Sequence, residues 1–272
     1  MKASRNKVQS PSRLSYAFIT GASSGIGAAV AEGLAQQGYG LVLTARRTDR
    51  LKKLAERCRK LGAPAVIVKA LDVTKSAEIA KVAKSLSSEK LNITVLINNA
   101  GLAKGIGPFQ GSGPADTDLM LDTNVRGLLH VTRAFLDGII AGHGHIVNIG
   151  SVAGRHVYEG GTVYCATKFA VGAISDALRL DLKGTGVRVT NILPGMVNTE
   201  FSVVRLGNQQ KADAVYADMM PLSATDVANS VLWCVTQPAH VNISELVIYP
   251  TDQAGVGHVV RGEKSVKSFL KK

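Results

Sequence analysis

Tyr164 and Lys168 stand four residues apart, a spacing that puts both side chains on one face of a helix, one turn apart. Ser151 follows the apolar run His145-Ile-Val-Asn-Ile-Gly150. That run reads as a buried strand, and the end of a parallel strand is where such sheets place their chemistry. A phenol ordinarily loses its proton near pH ~10. A cation one helical turn away stabilises the phenolate and lowers that value, so Tyr164 is expected to be tuned toward neutrality as a proton donor and acceptor. Ser151 can hold a substrate oxygen and stabilise charge that develops there. Tyr-x-x-x-Lys is nonetheless a common chance match, and a helical tyrosine is more often a core residue with a wet hydroxyl. The weight of the trio rests on the elements around it.

Those elements begin with the apolar run Ser15–Thr20, the loop Thr20-Gly-Ala-Ser-Ser-Gly-Ile-Gly27 and a helical pattern over 28–37 stopped by Gly38. Strand, glycine turn and helix together cradle a phosphate on a helix N-terminus. Gly21 permits the tight turn, Gly25 and Gly27 permit close backbone approach, and Ser23, Ser24 and Ile26 complete the loop. The spacing is Gly-x-x-x-Gly-x-Gly rather than the commoner Gly-x-Gly-x-x-Gly. A second strand over 40–45 ends in Arg46-Arg47, where an acidic residue would select NAD. Guanidinium groups suit a 2′-phosphate instead, so the expected cofactor is NADP; the plainer alternative is that both arginines open a solvated helix. A third strand over 65–71 runs into Asp72-Val73, which either face the adenine or cap the next helix. A fourth, over 93–97, ends in Asn98-Asn99-Ala100-Gly101, small residues expected beside the cofactor.

Residues 117–140 read as one long helix, interrupted in composition by Asn124, a poor helix former. A kink there would free a carbonyl and hold a water. His143 and His145 have no third ligand at metal spacing and read as turn and strand-start residues. After Lys168 the helix continues to about Leu182, and a sixth strand over 187–193 stops at Pro194-Gly195, with Val197 and Thr199 following across the top of the sheet. Residues 200–220 are irregular and are expected to form a mobile lid. A helix over 225–237 and a strand over 245–249 close the pattern.

The alternation implies an α/β fold: a single-domain, doubly wound (Rossmann) parallel sheet of about seven strands with helices on both faces. The 272 residues then divide into a basic flexible tail over 1–14, a catalytic domain over 15–254 and a basic tail over 255–272. Lys2, Arg5, Lys7 and Arg13 at one end, and Arg261, Lys264, Lys267, Lys271 and Lys272 against Glu263 at the other, carry most of the +12 net charge. With no aromatic-interleaved basic platform in the body, nucleic-acid binding ranks well below enzyme function. Three distant cysteines argue against a disulfide framework or zinc site, and no metal is expected. Without an apolar leader or an ~18-residue apolar run, the expectation is a cytoplasmic protein with no membrane contact.

Over residues 15–250 these stretches, with Asn124, Ser151, Tyr164-x-x-x-Lys168 and Pro194-Gly-x-Val-x-Thr199, resemble the short-chain dehydrogenase/reductase family. The resemblance implies a tetrad of Asn124, Ser151, Tyr164 and Lys168. Lys168 would bond the nicotinamide ribose, Asn124 would hold a water in a proton relay, and the protein would be a homotetramer. Within the family the chain is most similar to NADP-dependent 3-hydroxy acid dehydrogenases of the serine, allo-threonine and malonic semialdehyde type, through Tyr158-Glu-Gly-Gly161, Thr199-Glu-Phe-Ser202 and Pro250-Thr-x-Gln253. A small acid needs an anchor for its carboxylate; Arg205 in the lid is the first candidate and Arg155 the second. The alternatives are a reductase for bulkier 3-ketoacyl, steroid or sugar carbonyls, and a non-catalytic NADP sensor or polyanion-binding protein. An intact tetrad argues against the latter.

Overall fold

The strands owe their place to apolar residues on both faces, as a parallel sheet covered on both sides requires. In β1 (Ser15–Thr20), Ala17 and Ile19 turn to one face and Phe18 to the other, all fully buried. In the computed structural model, which describes residues 14–270, β1 pairs in parallel with β2 (Gly40–Ala45) on one side and β4 (Asn92–Asn98) on the other. With β3 (Val66–Ala70), β5 (His145–Ile149), β6 (Arg188–Pro194) and β7 (Glu245–Ile248), they form a seven-stranded parallel sheet of order β3-β2-β1-β4-β5-β6-β7. The order reverses between β1 and β4, which opens a crevice at their carboxyl ends.

One face is covered by α1 (Gly25–Gln36), α2 (Thr48–Lys60) and α9 (Ala224–Val235), through Val30, Leu34, Leu51, Leu54 and Val231. Gly33 lets α1 and α9 approach, since a Cβ there would lie 2.4 Å from a Leu232 methyl. The other face is covered by α3 (Ser76–Ser88) and α5 (Leu128–Ala141), with Phe135 against Phe18 at 4.2 Å between ring centres. Helix α6 (Thr162–Asp181) adds Leu178 to that layer. Beneath the strand ends runs a buried polar chain: the Asn98 amide donates to Thr132 and Asn148, and Asn148 donates to Ser175.

Three expectations change. The helix expected over 117–140 is two, α4 (Pro114–Leu121) and α5, joined by a π-helical turn, Asp122–Gly127. The irregular stretch 200–220 carries α7 (Phe201–Leu206) and α8 (Gln209–Val215), separated by Gly207 in the left-handed region and by Asn208, whose side chain caps α8. The stretch expected as a tail over 255–272 is folded as far as residue 270: β8 (Gln253–Gly255) and β9 (His258–Val259) form an antiparallel hairpin, followed by the short α10 (Val266–Phe269). The hub of that segment is Asp252, buried, whose carboxylate accepts from Met220 N–H, Ser265 Oγ and Val266 N–H. Long-range hydrogen bonds hold this segment, and they leave no apolar periodicity in the sequence. The basic stretch 1–13 and residues 271–272 lie outside the described residues.

Candidate active site

One cavity of about 750 Å³ opens at the carboxyl ends of the strands. Its lining begins at Arg46 and Arg47, passes Gly21, Ser23, Ser24, Gly25 and Ile26, continues past Asp72, Val73, Asn99, Ala100 and Gly101, and reaches Ser151, Tyr164 and Lys168. Pro194, Gly195, Val197, Thr199 and Arg205 wall the side formed by the end of β6 and by α7. Gly27 and Asn124 lie behind the wall rather than on it, and Arg155 is outside.

The glycine loop is shaped from below. Asn99 donates its amide hydrogens to the carbonyls of Thr20 and Gly21, and the Thr20 hydroxyl accepts from Asn99 and Ala100 N–H. A Cβ on Gly27 would lie 2.4 Å from the Asn99 amide nitrogen, so glycine is required for that brace. Gly21 and Gly25 have φ of +64° and +56°, where side chains are strained. The loop thus presents backbone N–H groups at the start of α1, as a pyrophosphate needs. Arg47 crosses to it, donating to both Ser23 and Ser24 hydroxyls at 2.9–3.3 Å. Asp72 does not cap α3: one of its oxygens accepts from Thr74 N–H and Oγ1 in a local turn, and the residue still lines the cavity. Glycine cradle, exposed guanidinium groups and an elongated cavity fit a dinucleotide carrying an extra phosphate.

The chemical end is built by the π turn and α6. The turn carries Asn124 toward the loop after β4: its Oδ1 accepts from Leu102 N–H, and its amide donates to Leu102 O and to Thr167 Oγ1. A π turn frees main-chain carbonyls from the helical ladder and is common at functional sites. The Asn124 side chain is therefore a clamp between loop and α6. Lys168, 7% exposed, donates from Nζ to Ile149 O at 2.8 Å. Burial lowers its pKa to about 8. Ser151 Oγ accepts from Ala153 N–H, which leaves its own proton for another acceptor.

Tyr164 departs from expectation. Burial drives its phenol pKa up, and the Ser151 hydroxyl and the Arg205 guanidinium oppose that only in part. Lys168 does not provide the expected lowering; its Nζ lies 5.8 Å from the Tyr164 ring centre and is tied to Ile149 O. Desolvation outweighs the one-turn charge effect for both groups.

Of the two arginines expected as anchors, only Arg205 is brought to the cavity. Its guanidinium stacks 5.5 Å from the Tyr158 ring centre and 5.7 Å from that of Tyr164, and its Nε donates to Gly105 O. Arg155 instead pairs with Glu245 at the edge of the sheet, and is not brought to the cavity. Residues not singled out as site residues from sequence also line it. Phe201 packs on Tyr164 with ring centres 5.6 Å apart, Tyr216 donates to Val197 O, and Gln253 Oε1 accepts from Met196 N–H. Val256, Gly257 and Val259 of the C-terminal hairpin complete the wall. Tyr158 and Gln253 lie in stretches that carried the family resemblance; the hairpin had no such signal.

The family model of the short chain dehydrogenases matches residues 15–210. The NADP-dependent 3-hydroxy acid dehydrogenase YdfG of Escherichia coli K12 is 45% identical over 243 residues, 88% of this chain and 96% of that protein. Sulfoacetaldehyde reductase 2 of Chromohalobacter salexigens is 46% identical, over 87% and 94%. Serine 3-dehydrogenase of Agrobacterium fabrum is 41% identical, over 90% and 98%. Among solved structures, the closed form of serine dehydrogenase complexed with NADP+ is similar with a TM-score of 0.84 at 43% identity, covering 91% of this chain and 99% of that one.

Proposed function

The chain belongs to the short chain dehydrogenase family, and from that premise we propose that it is an NADP-dependent oxidoreductase acting between the 3-hydroxyl and 3-carbonyl forms of small 3-hydroxy acids. The substrates are of the serine, allo-threonine and 3-hydroxypropionate–malonic semialdehyde type. Bound NADP supplies the hydride acceptor or donor. Ser151 and Tyr164 hold the substrate oxygen, and Tyr164 gives or takes its proton. Lys168, anchored on Ile149 O, keeps two N–H donors for the nicotinamide ribose. Carbonyls of the π turn hold the water that connects Lys168 to solvent, with Asn124 fixing the turn. Arg46 and Arg47 take the 2′-phosphate.

The observation that carries the substrate class is Arg205. A guanidinium held over the ring of Tyr164, in the same cavity as Ser151 and Lys168, seats a carboxylate a few bonds from the reacting carbon. The test is nicotinamide absorbance at 340 nm with L-serine, L-allo-threonine, 3-hydroxypropionate and 3-hydroxyisobutyrate, each with NADP and NAD. Turnover with NADP and little with NAD is expected. Tyr164→Phe is expected to lower kcat by about 10²–10⁴. Arg205→Ala is expected to raise KM for the acids by roughly 10- to 100-fold, the loss of one or two charge-assisted hydrogen bonds, while Arg155→Ala leaves it unchanged. Silence across the panel in wild-type protein that still binds NADP would overturn the small-acid reading.

The similarity to a sulfoacetaldehyde reductase favours one second reading, in which the anion on Arg205 is a sulfonate. Comparing kcat/KM for sulfoacetaldehyde and malonic semialdehyde separates the two. We further place the protein in the cytoplasm as a homotetramer assembled through the outer surfaces of α5 and α6. No helix among the described residues is long and apolar enough to cross a membrane.

A further inference from the structure

Glu200 sits at the root of the lid, between Thr199 and the first residue of α7, and faces back across the cavity mouth. Its two carboxylate oxygens are divided between two arginines: Oε2 accepts from Arg47 Nη1 at 2.9 Å and Oε1 from Arg50 Nη1 at 2.5 Å. Arg47 is the guanidinium that also donates to Ser23 and Ser24 on the glycine loop. A carboxylate from the lid therefore lies on the cationic site to which the cofactor's 2′-phosphate is assigned. The Arg50 hydrogen bond, seconded by that from Arg47, holds the Glu200 carboxyl below the usual range against the opposing effect of burial, so it is an anion at neutral pH.

We propose that Glu200, itself held in place by Arg50, is a specificity-determining residue that competes with the 2′-phosphate of NADP for Arg47. Acceptance of NADP then requires the carboxylate to yield, whereas NAD, which brings no phosphate there, leaves the pair as it is. The same backbone stretch touches three parts of the site. The Thr199 side chain lies 3.3 Å from where a Cβ on Gly25 would stand. Glu200 holds the arginines, and the Phe201 ring packs on Tyr164. Withdrawal of Glu200 from the arginines is thus felt at the start of α7, beside the reacting phenol. Both partners are about 43% exposed, so the competition is graded rather than absolute.

The inference rests on the assignment of the arginines to NADP, and the experiment separates the two. Dissociation constants for NADP and NAD are measured by titration calorimetry on the full chain for wild type, Glu200→Gln and Arg47→Ala. Glu200→Gln keeps the size of the side chain and removes its charge. It is expected to tighten NADP about three- to tenfold, the scale of one or two exposed ion pairs, and to leave NAD within about twofold. Arg47→Ala is expected to weaken NADP alone. If Arg47→Ala spares NADP, the arginine assignment fails. If Arg47→Ala weakens NADP while Glu200→Gln leaves it unchanged, weakens it, or tightens both cofactors equally, the assignment stands and the competition is refuted.

Discussion

Below its raised pKa the Tyr164 phenol keeps its proton, and this decides which direction it serves without assistance. Reduction of a carbonyl needs the acid form, which is fully present at neutral pH. Oxidation of an alcohol needs the conjugate base, whose share grows about tenfold per pH unit below the pKa. Lys168, shifted down to about 8 by burial, is an ammonium below that pH and loses its proton above it, so the relay that would return a proton to Tyr164 during reduction runs down. The expected outcome is a crossover: reduction level at neutral pH and falling above about 8, oxidation climbing across the same interval. Initial rates in both directions between pH 6 and 10, at saturating cofactor, check it; oxidation fastest on the acidic side would contradict the assigned burial effect. The identity and spacing of Ser151, Tyr164 and Lys168 were legible in the sequence because they are properties of a strand end and one helical turn. The sign of the Tyr164 shift was not, because burial is set by Phe201 and other side chains arriving from distant parts of the chain.

The strand–glycine–helix unit at residues 15–36 could be read directly, since its chemistry is local: a buried run, a loop needing positive φ, and a helix behind it. The π turn could be read only as an anomaly at Asn124, because nothing in helical periodicity distinguishes an exposed asparagine from one clamping Leu102 and Thr167. The C-terminal hairpin was illegible, since what holds it is the buried Asp252 carboxylate rather than an apolar stripe. Arg261 adds to that hold by donating to the carbonyls of Val215 and Ala217, at the end of α8. Asp252 is therefore a positioning residue for the wall formed by Val256 and Val259 and for the end of the lid at Met220. Asp252→Asn leaves one acceptor oxygen where two served three donors. At about 1.5–3 kcal/mol per charged hydrogen bond, the variant is expected to melt roughly 4–10 °C lower. Its substrate KM is expected to rise severalfold while NADP affinity stays near wild type, since the glycine loop and Arg47 lie elsewhere. Thermal melts and the two KM values check this. A drop in melting temperature with unchanged substrate KM would mean that the segment is structural and takes no part in the pocket.

At the scale of the whole molecule, the sheet order places β1 and β4 side by side, so the glycine loop and the Asn99–Gly101 segment form one crevice although far apart in sequence. The same topology sends α5 and α6 to one outer layer, and that layer carries large apolar side chains in the open: Leu129 is 41% exposed, Phe169 43% and Leu180 70%. A surface of this kind is expected to be covered by another chain, and a second copy is the occupant proposed above. Sequence could not show this, because Leu129 and Phe169 satisfy a helical pattern as well as any core residue; only the placement of the sheet on the opposite side of each helix identifies them as outward. Light scattering on the wild-type protein is expected to give the mass of a tetramer. Leu129→Glu combined with Phe169→Glu places charge on that layer without touching the cavity, and is expected to shift the mass to a smaller species with the circular dichroism of the folded chain retained. If the double variant keeps the tetramer's mass, assembly proceeds through a different surface. If the wild type is already a monomer, the site at the mouth of β1 and β4 is complete within one chain.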